Sequence, residues 1–306
     1  MPFENTHLYL AEQVKQALND EAWSVLLNEN LDHYRLGSVF PDIMFYSKDE
    51  SLKQRAYRLH GTHRSPTNEL IFGVLDLLKG VEDSLNFAFI AGYLTHCAAD
   101  ITFHTMVYYI SGHRANRSKQ EAQRTSYLHW HYETLIDNYL NDRFNLHEVL
   151  YPSLFDDLVA PQVLAIDRGK MVSAFNRQRR YFSMIQSPFY YRVFCLLRLL
   201  RLTEPKIVAG FYENLKYERV SLPEVIPYRD VISGENREAT IDQLAQTAVE
   251  RGKTMIASAY GYYTGSITRE ECQQIIAGEN LATGKVGKAA DDIRYSSPTP
   301  GQYPPH

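Results

Sequence analysis

Long apolar runs are missing from this sequence. FAFIAGYLTHCAAD is broken by His96 and Asp100, and VFCLLRLLRL by arginines. No stretch of 18 apolar residues occurs, so a transmembrane helix is not expected. Cysteine is scarce: Cys97, Cys195 and Cys272 stand far apart and are odd in number. That excludes a disulfide scaffold and lacks the paired spacing of a thiolate zinc knuckle. Basic excess is missing too, since 32 Lys and Arg face 36 Asp and Glu for a net charge of −4. Such a balance disfavours nucleic-acid binding through a generally basic surface. The opening residues, MPFENTHLYLAEQV, contain neither a basic nor an apolar leader region. No signal peptide is therefore expected, and a cytoplasmic protein is the expectation. Stretches of alternating polarity are rare, no hairpin is expected, and no internal repeat is visible.

What remains is an ordinary globular mixture, 44% apolar and 22% charged over 306 residues, enough to exclude disorder for most of the chain. Tyrosine (22) and histidine (11) are abundant, and histidine is concentrated in the first half. Helical periodicity dominates. Helices are expected at about 5–18, 20–28, 67–79, 85–110, 124–141, 144–150, 156–164, 169–185, 188–202, 206–216, 239–261 and 268–276. Residues 31–66 contain Gly37, Pro41 and Pro66 without sustained periodicity. They are expected to form a long ordered loop with a short turn of helix, the kind of loop that tends to be functional. The expectation is an all-α, multi-helix bundle. Its domains are a helical domain at 1–204, a C-terminal helical extension at 205–290 and a disordered tail at 291–306, where prolines replace aliphatics.

The main chemical signal is GYLTHCAADITFHTMVYY. His96, Asp100 and His104 stand at i, i+4 and i+8, and each four-residue step turns a helix by only about 40°. All three therefore share one face of an otherwise apolar helix. Half-buried imidazoles and a carboxylate need partners, and metal coordination would supply them. The plain alternative is a hydrogen-bonded polar stripe. A second helix, YLHWHYETLID, presents His129 and Glu133 at i and i+4. Two helices each offering His-x-x-x-carboxylate are what a metal site in a bundle core requires. His131 is rotated about 200° from His129 and reads as a packing histidine. Asp137, one turn beyond Glu133, is either an outer acceptor for a ligand histidine or a plain helix carboxylate. His7, Asp42 in GSVFPDIMFYS, and His60 and His63 in RLHGTHRSP add further donors. That excess over the needs of one zinc argues for two or three ions. Cys97 points about 100° away from His96 and takes no metal role. Arg64, Arg114 and Arg117 read as solvated loop arginines, and His33 and His147 as surface residues. The basic stretch NRQRRYF at 176–182 reads as a solvated helix face.

The order His7, Asp42, His60, His96-x-x-x-Asp100-x-x-x-His104, His129-x-x-x-Glu133 resembles the zinc-dependent phospholipase C family. Its members include the bacterial phosphatidylcholine-preferring phospholipases, and S1/P1 nuclease is a structural relative. The resemblance covers about residues 5–140 and implies an all-α fold around a zinc cleft. It further implies one zinc held by His60, His96 and Asp100, and a second by His104, His129 and Glu133. A third would be held by His7 and a bridging Asp100. Asp42 takes the place of the carboxylate that orients or deprotonates the attacking water. Two departures follow. In the secreted members the mature N-terminal residue ligates the third metal, whereas His7 here follows MPFENT. The third site is thus expected to be weak, absent or completed by Asp42. His60 and His63 also compete for one role, with His60 favoured by its LHG context. The lipid-binding β-sandwich of the toxins is not evident, and the sequence stands nearer to the family's uncharacterised members.

The resemblance implies a zinc-dependent phosphodiester hydrolase that converts a phospholipid to diacylglycerol and a phosphorylated head group. The apolar run Phe40, Ile43, Met44, Phe45 and Tyr46 is suited to an acyl or glyceryl moiety. Phe45, Tyr46, Tyr108 and Tyr109 could instead stack bases. The competing expectations are a nuclease or phosphatase on the same metals, and a non-catalytic zinc-binding helical protein. The ligand excess disfavours the last, because structural zinc closes with four ligands. Nucleic acid is not the expected partner. A phospholipid is; transient membrane-surface contact through the 176–182 face is the lesser alternative to a solvated face, and no protein partner is expected.

Overall fold

A computed structural model describes residues 4–18, 22–112, 118–140, 144–200, 202 and 222–300. Among the described residues are thirteen α-helices, three short 3-10 turns and one two-stranded sheet. The chain is all-α. No helix among the described residues is long and apolar enough to cross a membrane.

The architecture is organised by α6 (Ser84–Ser111), which is buried along nearly its whole length. A helix apolar on every side belongs in the middle of a bundle. Around α6 pack α1 (Glu4–Gln16), α2 (Ala22–Glu29), α3 (Leu31–Ile43), α5 (Asn68–Leu78) and α7 (Lys119–Leu140). The bundle is completed from the C-terminal part by α12 (Ile241–Thr264), which lies against α6, α1 and α5. The start of α6 is fixed by Asp83, whose carboxylate accepts from the Asn86 amide. The start of α12 is fixed by a reciprocal cap between Thr240 and Gln243.

The most extensive helix contact joins α3 and α6, and two glycines make it possible. A Cβ placed on Gly37 would lie 2.0 Å from the Phe89 carbonyl oxygen. One placed on Gly92 would lie 1.8 Å from that of Tyr34. The two backbones therefore touch, as only glycine at the crossing permits. Here the sequence expectation fails: residues 31–43 and 50–59 are helices (α3, and α4 at Glu50–Leu59), joined by a 3-10 turn at Met44–Tyr46. Gly37 and Pro41 look like helix breakers from propensity alone. Tertiary contact with α6 overrides that preference, and Pro41 sits inside the last turn of α3.

Between α7 and α12 run α8 (Leu146–Val149), α9 (Ala160–Val163), α10 (Arg168–Ile185) and α11 (Pro188–Leu199). Then comes a hairpin, β1 (Ile226–Arg229) paired antiparallel with β2 (Asn236–Ala239), Ile226 opposite Ala239. This hairpin corrects the expectation of none, since four-residue strands are too short to show alternation. The helix expected at 206–216 lies outside the described residues, as do Arg114 and Arg117. The final helix, α13 (Arg269–Ile275), starts at a cap between Thr268 and Glu271. The tail expected to be disordered from 291 is instead tied down as far as residue 300. The Arg294 and Tyr295 amides donate to the Val231 carbonyl, and the Ser297 amide donates to that of Tyr109. Arg124 reaches the Pro300 carbonyl. Main-chain hydrogen bonds hold this tail, and composition does not report them.

Candidate metal centre

Four elements converge beside the middle of α6. His7 comes from the first turn of α1, Asp42 from the last turn of α3, and His60 from the residue that closes α4. His96, Asp100 and His104 come from α6, and His129 and Glu133 from α7. The glycine crossing sets the α3–α6 part of this arrangement. Gly37 and Gly92 lie about one turn before Asp42 and His96 respectively. Seven of the eight side chains are buried, with His96, Asp42 and Asp100 at 0% exposure, while His60 retains slight access.

The donor atoms fall into three groups, each within 4.8 Å: His7, His96 and Asp100; Asp42, His60 and His96; and His104, His129 and Glu133. Asp100 lies between them. Its Oδ1 is 3.4 Å from His7 Nε2 and 3.8 Å from His104 Nε2. Its Oδ2 is 3.3 Å from His96 Nε2 and 3.8 Å from His60 Nε2. Asp42 Oδ1 approaches His60 Nε2 at 3.1 Å, and His129 Nε2 approaches Glu133 Oε1 at 2.8 Å. The His7 and His96 rings stack with centroids 4.0 Å apart.

Hydrogen bonds on the far side of the rings fix which nitrogen faces the cluster. His96 Nδ1 lies 2.9 Å from the Ser38 carbonyl, His60 Nδ1 2.8 Å from that of Ala56, and His104 Nδ1 2.7 Å from that of Leu281. A carbonyl can only accept, so each Nδ1 carries the proton in the neutral ring and each Nε2 lone pair points inward. Those lone pairs then face carboxylate oxygens, acceptor against acceptor. Both Asp100 oxygens, Asp42 Oδ2, His7 Nε2, His96 Nε2 and His104 Nε2 are buried and accept no hydrogen bond from protein. Buried acceptors in such numbers are costly unless cations join them. Imidazole and carboxylate donors match zinc, and main-chain carbonyls behind ligand imidazoles are its usual supports. The residues fit zinc.

The electrostatics point the same way for the carboxylates, His7 and His104, and the opposite way for His96. Burial pushes Asp42 up, but His96, His60 and His7 outweigh it and hold the carboxyl below its usual range. Burial also opposes ionisation of Asp100, yet His104 and His96 hold it well below the ordinary value. Burial lowers His7 and takes His104 down to about 3, so both rings stay neutral near pH 7. His96 is pulled down by burial, but the Asp100 and Asp42 carboxylates turn the net shift upward.

A family model for zinc-dependent phospholipase C matches residues 6–177, more than half of the chain. The chain belongs to the zinc-dependent phospholipase C family. No curated protein and no solved structure matches it. For a member of this family the name indicates dependence on zinc, and the structure supplies several groups able to hold it.

The zinc-dependent phospholipase C motif residues come together with one regrouping. Asp42 sits among the His60 and His96 donors, in a group that could itself hold a metal. His7 joins His96 and Asp100. His63 is on the surface, 53% exposed and 3.6 Å from Asp292, so of the two competing histidines His60 is the one in the cluster. Asp137 does not accept from a ligand histidine. It accepts from Thr6 Oγ1 at 2.8 Å, and burial pushes its carboxyl up to about 7. Phe40, Ile43 and Met44 are wholly in the core, which removes them from any substrate wall. Phe45 keeps that possibility, its ring 5.1 Å from those of His60 and Tyr57. Tyr108 flanks the other end, 4.6 Å from His129 and 5.4 Å from His104. Arg64 is exposed, as expected. Arg179 donates to the His147 carbonyl, so the basic face of α10 is partly engaged within the fold.

Sequence reasoning missed three features. Leu281, far beyond the motif, supplies the carbonyl behind His104. Ser38 and Ala56 supply the others, and main-chain acceptors leave no mark in side-chain identity. Glu4 is buried one turn before His7 and is bonded to Gln178 at 2.9 Å. Burial and the Asp42 charge push it up to about 7.

Proposed function

We propose that the chain is a zinc-dependent phosphodiesterase of phospholipase C type. Water and a phospholipid would give diacylglycerol and a phosphorylated head group. The observation that carries this reading is Asp100, buried with both oxygens unbonded and facing four imidazoles from three elements.

His104, His129 and Glu133 would hold one ion; His96, with a single inward nitrogen, would serve either His7 and Asp100 or Asp42 and His60 for a second, the remaining pair holding any third, for two to three zinc ions in all. Zinc bound there supplies an acidified water and a clamp on phosphoryl oxygens, where charge builds up. The chain's own contributions follow from geometry. Asp42 and Asp100 keep their negative charge, His7 and His104 stay neutral, and the His104 Nε2 lone pair is turned inward. Asp42 Oδ2, a buried acceptor with no hydrogen bond, can orient a water or take its proton. Phe45 and Tyr57 beside His60, the member with access to solvent, offer an apolar wall for a glyceryl or acyl group. The net charge of −4 does not favour a polyanionic substrate that draws affinity from many basic contacts.

The test compares zinc-loaded protein on short-chain phosphatidylcholine, on liposomes of the long-chain lipid, and on single-stranded DNA. Short-chain lipid should turn over fastest, and Glu133→Gln should abolish all activity. Faster turnover on DNA would sink the phospholipase reading and favour a nuclease on the same metals.

A further inference from the structure

The turn at 279–284 lies about a hundred residues beyond the family-matched segment, yet it touches two of the three donor groups. The Leu281 amide donates to the His60 carbonyl at 2.9 Å. One peptide unit further on, the Leu281 carbonyl faces His104 Nδ1 at 2.7 Å. Leu281 is thus a main-chain staple between the residue that closes α4 and the third polar position of α6. It is 0% exposed, so water does not compete for either bond.

Asn280 builds the staple. Its Oδ1 accepts from the Ala282 and Thr283 amides at 3.0 and 3.1 Å, which curls the turn. Its Nδ2 donates to the Gly61 carbonyl at 2.7 Å and to that of His60 at 3.2 Å, which ties the curl to the cluster. Gly61 has a φ of +91°, and a Cβ there would sit 3.0 Å from Asn280 Cα, so the glycine admits this approach. Two more ties come from Thr67, which donates to the Glu279 carbonyl at 2.8 Å, and Asn68, which donates to that of Ile276 at 2.7 Å. The sequence Asn280-Leu281-Ala282-Thr283-Gly284 is a side-chain-capped turn, but nothing in it as a turn calls for these partners.

We propose that the 279–284 turn is an outer wall of the metal centre: Asn280 and the Leu281 main chain are positioning groups that hold His60 and His104 in register for zinc. This rests on the reading of the cluster as a zinc site. Its physical content is that the C-terminal part of the chain, and not only the motif-bearing helices, sets metal affinity. The Leu281 carbonyl fixes the proton on His104 Nδ1 and so presents Nε2 to the ion. Supports of this kind change metal affinity by about 10–100-fold when removed.

The test uses the full chain and measures zinc dissociation constants by competition with a chelator, alongside thermal unfolding of the zinc-free protein. Asn280→Ala removes both the curl and the tie. Asn280→Asp keeps the acceptor for the Ala282 and Thr283 amides but loses the donor to Gly61 and His60, and carries the test if the alanine variant fails to fold. Tyr262→Phe is the comparison, since it removes the 2.7 Å bond from α12 to Asp76 without touching the turn. The Asn280 variants should weaken zinc by about 10–100-fold, and the His104 Nδ1 proton signal of the loaded protein should broaden. Tyr262→Phe should lower the zinc-free melting point and leave zinc affinity unchanged. Wild-type affinity in the Asn280 variants, or an equal loss in Tyr262→Phe, would overturn the proposal alone. A wild-type chain that binds no zinc would overturn the functional reading as well.

Discussion

Replacing Gly92 by alanine tests the link between the helix crossing and the site. On an exposed helix Gly→Ala stabilises by up to about 1 kcal/mol, because alanine is the better helix former. The opposite sign is expected here. The new Cβ would lie 1.8 Å from the Tyr34 carbonyl oxygen and 3.0 Å from the Ser38 amide nitrogen, all of it backbone that cannot rotate aside. Ordinary contact begins at 3.4 Å, so α3 and α6 must part by about 1.6 Å. Overpacking in a core costs about 1–3 kcal/mol, occasionally more. The parting also takes the Ser38 carbonyl, now 2.9 Å from His96 Nδ1, beyond hydrogen-bond reach. It draws Asp42 away from His96 as well. Gly92→Ala should therefore lower the melting point of the zinc-free protein by about 2–5 °C. It should also release the zinc held by Asp42, His60 and His96. Calorimetry with and without zinc, together with metal analysis, reads both effects. A melting point equal to or above wild type with full zinc content would refute the argument that the crossing is tight and that it sets the site.

Three further outcomes follow from the same geometry. Asp100→Asn should lower zinc content by more than one equivalent, because its two oxygens face different donor groups. Loss of a single equivalent on metal analysis would make it a terminal ligand. Asp42→Asn should lose zinc as well as rate, given its place beside His60 and His96. Retention of every ion with a rate lowered by about 10²–10⁴-fold would assign it to proton transfer alone. Asp230, in the hairpin loop, is buried, and burial pushes its carboxyl up. The Ser233 and Ile232 amides and Lys285 outweigh that, bringing it down to about 2 from 3.8. The depressed value contributes up to about 2 kcal/mol, present in full above about pH 5 and lost as pH falls through 2. The stability gap between wild type and Asp230→Asn in denaturant titrations should shrink over that window. A gap unchanged between pH 6 and pH 3 would refute it.

Part of this fold was legible because it is written in side-chain periodicity. The i, i+4, i+8 spacing of His96, Asp100 and His104 on an apolar run predicts both a buried helix and a polar face. The structure has α6 buried with those three facing the cluster. The spacing of His129 and Glu133 predicts a second contributing helix in the same way. The helices within 31–66 are not legible in sequence because they do not advertise themselves locally. Gly37 and Pro41 lower helix propensity, and α3 exists because its glycine allows contact with α6 that no residue within 31–43 can reveal. The apolar run from Phe40 to Tyr46 was read as a substrate wall for the same reason. Once α3 is a helix, Phe40, Ile43 and Met44 turn into the core, and only Phe45 and Tyr46 keep access.

The site was less legible than its residue list suggests, because side-chain identity reports donors and not what aims them. Three imidazoles here are aimed by main-chain carbonyls, at Ser38, Ala56 and Leu281. Any residue except one that distorts the backbone could supply those carbonyls. What the sequence does constrain is the geometry that brings each carbonyl near: glycine at 92 for Ser38, a helix that closes at His60 for Ala56, and an Asn280-capped turn for Leu281. The first two act within a turn or so of the ligand on its own helix, and only the Asn280-capped turn lies far in sequence from the ligand it serves. Substitution at Gly92 should therefore act on fold and zinc together, whereas substitution at Asn280 should act chiefly on zinc. Histidine and carboxylate identify the donors, and the glycine and turn asparagine packed against them set their affinity.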